Sequence, residues 1–449
     1  MCAFNPEYIA DFARSYGFHY DICDPLTLVR DFLIDMERGL RGQSSPLPMI
    51  PSFLRPVSRV PSGKTVIALD AGGTNLRAAR VSFGETGRPV PGGSAKAPMP
   101  GTHGRISAET FFDEIAALAA PLIEEGPVEG IGFCFSYPME MKEDGDGIPM
   151  AFSKEIDAPE VTGKPVGRGL REALKRRGIT APERIVLLND TVSTLLAGLA
   201  EIPPDGGLVK GADTYGVPGG PAVGFILGTG FNTAYPEKDI PKIGFHSGES
   251  PQIVVCESGC CAPRYLGVLD REFDATTKKP GVYTLEKSAA GAYLGPLTFH
   301  ILKQAVKDGV LSFKKSAEFV SWPGLETRHL NEFMHSPLSG EGPVGGLFGR
   351  DELDALKTFC CITSIVTLRG ALFSAAAVAA AVERMGAGFD PFVPVRIAVE
   401  GTTFIMYRGM REALESWLRV MLTKDKPRFY AITPVEQASL FGAAMAALT

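Results

Sequence analysis

Two rhythms of apolar residues run along the chain. Short runs rich in β-branched and aromatic residues, each closed by a small or polar residue, read as buried strands near 66–70, 128–135, 184–188, 223–227 and 394–399. A second strand-like stretch, 76–83, follows the first after a tight turn. Longer segments carry the helical rhythm. The spacing of Phe111, Phe112, Ile115 and Leu118 predicts a helix over 110–124, and Leu195, Leu196 and Leu199 continue one that starts at Thr191. The Ala-rich stretch 353–384 predicts a long helix packed in the core, and 438–448 a small-residue helix. At the start, Phe12, Leu28, Phe32, Leu33 and Met36 mark amphipathic helical segments, which Pro46, Pro48, Pro51 and Pro56 bring to an end. Residues 202–221, rich in Gly and Pro, read as a loop or interdomain connection.

The strand ends carry the candidate chemistry. After Val66–Leu69 come Asp70, Ala71, Gly72, Gly73, Thr74, Asn75, Leu76 and Arg77. A glycine pair lets backbone N–H groups approach a ligand, and such amides with a Thr hydroxyl cradle phosphate oxygens. Asp70 suits a hydrated Mg²⁺, which takes one or two carboxylates plus waters and phosphates. No Gly-Lys-Ser/Thr runs into a helix, and a strand follows rather than a helix, so neither a P-loop nor a dinucleotide turn is present. The alternative is an ordinary β-turn. Gly228, Thr229, Gly230, Phe231 and Asn232 repeat the device, which suggests a duplicated α/β unit whose copies face each other across a cleft. A third Gly/Thr turn lies at Gly401, Thr402 and Thr403. Ser136, after one strand, is either a ligand contact or a strand-end cap. Asp190, after Asn189, is either a helix cap or a carboxylate at the ligand-binding end of a sheet. Glu257 and Glu286 are candidate acceptors for hydroxyl groups.

Composition narrows the class. The chain has 449 residues, 45% of them hydrophobic, enough for two or three domains. A formal net charge of −6 gives no nucleic-acid footprint. The apolar run 370–382, between Arg369 and Glu383, reads as too short to span a bilayer, and Asp11, Asp21 and Asp24 break any N-terminal signal pattern. The 8 cysteines fit no zinc spacing and read as free thiols of a reducing cytoplasm.

Taken in order, these blocks resemble hexokinase, in the sugar-kinase branch of the actin-like ATPase superfamily. Leu69–Arg77 is similar to the first phosphate motif, Gly132–Pro138 to the sugar motif, Asn189–Val192 to the catalytic motif and Gly228–Tyr235 to the second phosphate motif. The resemblance implies an α/β, two-domain actin-like (ribonuclease H-like) fold, with duplicated mixed β-sheet units flanked by helices around a central cleft. It implies a small domain of 62–190 plus 434–449 and a large domain of 1–61 plus 191–433. It implies transfer of the ATP γ-phosphoryl group to the 6-hydroxyl of a hexose such as glucose. Fructose, mannose or an amino sugar are alternatives, as is a non-catalytic hexose sensor. By carry-over, Asp190 is the base and Lys154 acts with it. Ser136, Ser153, Lys154, Asn189, Asn232, Glu257 and Glu286 hold the sugar. Gly72, Gly73, Thr74, Asn75, Arg77, Gly228 and Thr229 hold phosphates, Asp70 stands near Mg²⁺, and Gly401 and Thr402 near adenosine. Ser153, Ser258, Pro296 and Phe441 stand where the family commonly has Thr, Trp, Glu and Lys. The implied partners are hexose and ATP, with no nucleic acid and no membrane.

Overall fold

The computed structural model describes residues 3–57, 62–85, 87–152, 156–200, 220–246, 250–423 and 427–449. Two mixed sheets form the frame. In the first, Thr65–Ala71, Asn75–Phe83 and Pro89–Pro98 make an antiparallel meander; Gly130–Phe135 then pairs parallel to Thr65–Ala71, and Arg184–Leu188 parallel to Gly130–Phe135. In the second, Ala222–Leu227, Phe231–Glu237 and Gln252–Val255 form the meander, and Val395–Glu400 and Tyr430–Pro434 add the parallel strands in the same order. The duplicated unit expected from the two turns is therefore present as one topology used twice. The second sheet has an extra edge, Ile50–Pro51, inside the Pro-rich segment. An edge is where a strand proline is tolerated.

Helices Ala108–Glu124 and Val166–Arg176 cover one face of the first sheet, burying Phe111, Ile115, Leu170 and Leu174 against Ile67, Leu69, Ile131 and Phe133. Between the sheets lie Asp190–Ala200 and Ala438–Ala446. Glycines set that spacing. A Cβ on Gly132 would stand 1.7 Å from the Ala443 carbonyl oxygen, and one on Gly224 would stand 2.4 Å from that of Thr191. A Cβ on Gly442 would meet Ser193 O at 2.0 Å, so the two helices touch backbone to backbone.

The N-terminal helices Pro6–Ser15 and Pro25–Leu40 start on Asn5 and Asp24, whose side chains accept from Tyr8 N and Thr27 N. Phe12, Leu28, Phe32 and Met36 are buried as expected, while Leu33 is half-buried. Helix Leu353–Met385, with 33 residues, bears out the long core helix expected over 353–384, and its length and composition would suffice to cross a bilayer, which corrects the reading of the run 370–382 as too short. Its most apolar stretch is 94% buried inside the protein, which accounts for the composition. The Gly- and Asp-rich segment near 143–147 is the turn of a small hairpin, Met139–Met141 with Gly147–Pro149. The predicted loop falls almost wholly on residues 201–219, outside the described residues.

Candidate active site

Strand ends of both sheets converge on one cleft of about 430 Å³. Ser136, Asn189, Asp190, Asn232, Glu257 and Glu286 all line it. Ser136 leaves the strand Gly130–Phe135 with its N–H on Ala71 O at 3.2 Å. Asn189, not Asp190, caps the following helix, accepting from Thr191 N on its side-chain oxygen at 2.7 Å. Asp190 has the Thr191 hydroxyl 3.2 Å away, and its half-buried carboxylate faces the cavity. Burial pushes its pKa up, Asp70 adds to the rise, and hydrogen bonds from Thr191 and Asn189 oppose it.

The opposite wall is a linked set. Asn232 donates to Glu257 at 3.0 Å and accepts from Thr233 N at 2.8 Å and Ser258 N at 3.3 Å. Glu286 accepts from Phe231 N at 3.1 Å. Glu257 sits in a left-handed backbone conformation, φ 53°, uncommon for a residue with a side chain. Burial, with Asp190 nearby, pushes its pKa up to about 7. Burial also raises that of Glu286. Ser258 is buried, 3.0 Å from the Thr233 hydroxyl, and braces this wall from behind.

The first Gly/Thr turn joins Thr65–Ala71 to Asn75–Phe83 and is closed by Gly72 N–H on Asn75 O at 3.1 Å. Thr74 and Asn75 are exposed, with their side chains 3.0 Å apart. Asp70 is buried behind the turn, paired with Arg77, whose Nε lies 2.8 Å from Oδ2. The second turn lies between two cavities. Gly230 lines the cleft, while Thr229 lines a neighbouring pocket of about 430 Å³ with Gly291, Asn331, Thr402 and Met406. Gly228 O accepts from Gly291 N at 2.7 Å and from the Thr403 hydroxyl at 2.8 Å, which fixes the wall between the two. Gly401 is held at φ 128°, and a Cβ there would lie 2.3 Å from Leu227 O.

Ser153 and Lys154 lie outside the described residues. The sequence reading missed Glu400, which ends the strand Val395–Glu400 and stands 3.3 Å from the Thr194 hydroxyl. Burial and the nearby Asp190 push its pKa up to about 7. The signal was present: Glu400 precedes a Gly/Thr turn much as Asp70 does.

One α/β unit used twice, with Ser136, Asn189, Asp190, Asn232, Glu257 and Glu286 gathered on one cleft at the strand ends, defines an actin-like ATPase fold. Its overall course follows a Schistosoma mansoni hexokinase complexed with glucose: TM-score 0.72, 22% identity, 99% of each chain covered. Residues 222–449 match one hexokinase family model and residues 16–200 another; the chain belongs to the hexokinase family. Hexokinase-2 of Candida albicans is 28% identical, covering 94% of this chain and 88% of that one. Hexokinase-1 of Schizosaccharomyces pombe is also 28% identical, covering 92% and 85%.

Proposed function

We propose that the protein transfers the γ-phosphoryl group of ATP to the 6-hydroxyl of a hexose, glucose first, releasing hexose 6-phosphate and ADP. The observation that carries this is the Asp190 carboxylate open to a cavity walled by Asn189, Ser136, Asn232, Glu257 and Glu286. In this reading Asp190 takes the hydroxyl proton as the oxygen attacks phosphorus. Its raised pKa makes it a stronger base than an exposed carboxylate, and a positioned base contributes on the order of 10²–10⁴-fold. The carboxylates and amides around the ring hold its hydroxyls; a sugar lacking one leaves a buried partner unpaired. Ser153 and Lys154 join them by family resemblance.

Gly72, Gly73, Thr74, Asn75, Arg77, Gly228 and Thr229 serve the phosphates, and Gly401 and Thr402 border the adenosine pocket. Among the described residues no three metal-ligating side chains gather in one place. That fits a hydrated Mg²⁺ held by Asp70, waters and phosphates, which would neutralise phosphate charge. Closure of a small domain, 62–190 with 434–449, onto a large one, 1–61 with 191–433, would keep water from competing as acceptor. The seven described cysteines are all free thiols, which suits a reducing cytoplasm.

The test is ADP release with glucose, fructose, mannose or N-acetylglucosamine, with Asp190→Ala as control. Turnover is expected only with sugar, and Asp190→Ala falls about 10²-fold or more. ADP release without sugar, or full activity in the variant, overturns the reading.

A further inference from the structure

We propose that Tyr137 is a positioning residue that aims two backbone amides at the nucleotide phosphates. Its hydroxyl lies 3.1 Å from the carbonyl oxygen of Gly72 and 3.3 Å from that of Gly73. In a planar trans peptide the C=O and the following N–H point in opposite directions. Drawing the Gly72 and Gly73 oxygens toward Tyr137 therefore turns the N–H groups of Gly73 and Thr74 outward. Neither N–H meets an acceptor among the described residues. A Cβ on Gly73 would find nothing within 4 Å, so that side of the turn is open. Two successive outward amides make an anion-binding concavity.

The clamp is itself held. Tyr137 is buried, its ring centroid 5.0 Å from that of Phe135 and 5.1 Å from that of Phe152. It also lines the cleft next to Ser136, so one side chain touches both the hexose cavity and the back of the phosphate turn. This role rests on the kinase reading above.

Tyr137→Phe keeps the ring and removes the hydroxyl. Calorimetry with MgADP and steady-state kinetics give the readouts. The Kd for MgADP and the KM for MgATP should each rise about fivefold, the size of one neutral hydrogen bond. The hexose KM stays within about twofold, as expected when only one ligand loses a contact. An unchanged MgADP affinity overturns the proposal, and so does a loss confined to the hexose. MgADP binding needs no turnover. A protein that binds MgADP but phosphorylates no sugar would therefore sink the kinase reading while still deciding the role of Tyr137.

Discussion

Two acids, Glu257 in the cleft and Glu400 at the end of the strand Val395–Glu400, have their pKa values raised by burial, and this dictates how stability varies with pH. Burial first, then the neighbouring Asp190, pushes Glu257 and Glu400 from an ordinary 4.5 up to about 7. In the unfolded chain both ionise near 4.5, so between 4.5 and 7 the folded chain holds protons that the unfolded chain does not. By linkage their contribution to stability is full below 4.5 and is lost as pH rises through 7. Ionising one such group in the fold costs about 3 kcal/mol relative to the unfolded chain. Water entering the cleft trims that figure, and the two costs overlap because both depend on Asp190. The double variant Glu257→Gln, Glu400→Gln should therefore match the original protein near pH 5 and exceed it by about 2–4 kcal/mol near pH 8. Urea unfolding without sugar at those two values measures the difference, and surface carboxyls cancel because both chains carry them. A difference that is the same at both pH values refutes the reasoning. Sugar reverses the effect at Glu257: a hydroxyl donating to its carboxylate favours the ionised form. Glucose binding near pH 7 should thus expel protons, seen as a binding heat that depends on the buffer.

Gly132→Ala places a methyl 1.7 Å from the Ala443 carbonyl, a backbone atom that cannot swing aside. The helix Ala438–Ala446 must then shift, at a cost of about 1–3 kcal/mol or more, and an unchanged melting temperature would contradict this spacing. Thr402→Trp fills the pocket beside Thr229, so the KM for ATP should rise at least about tenfold while the hexose KM holds. Equal losses for both substrates would show that the pocket does not take the nucleotide.

Much of the frame was legible in the sequence because the signals are local. The turns Gly72–Gly73 and Gly228–Thr229–Gly230 each follow a buried strand, and the structure gives both meanders the same strand order. The helix after Asn189 also lies where its apolar spacing predicts. What escaped was long-range or depended on one bond. Asn189 and Asp190 are both good helix caps, and only the hydrogen bond to Thr191 decides between them. Glu400 ends a strand before a Gly/Thr turn as Asp70 does, but nothing near it in sequence reveals that Asp190 lies close in space. The helix Leu353–Met385 follows from the Ala-rich stretch 353–384; that it could also cross a bilayer by length and composition escapes a reading confined to its most apolar run, 370–382.

At the crossing of the helices Asp190–Ala200 and Ala438–Ala446, Gly442 rests on the backbone of Ser193. The contact is nonetheless keyed: the Ser193 hydroxyl donates to Ser439 O at 2.9 Å across the same crossing, and the flanks around it are apolar and buried. Bare backbone on one side and a hydroxyl latch beside it hold the two rods at one spacing and one register, and even a methyl group on Gly442 would wedge them apart.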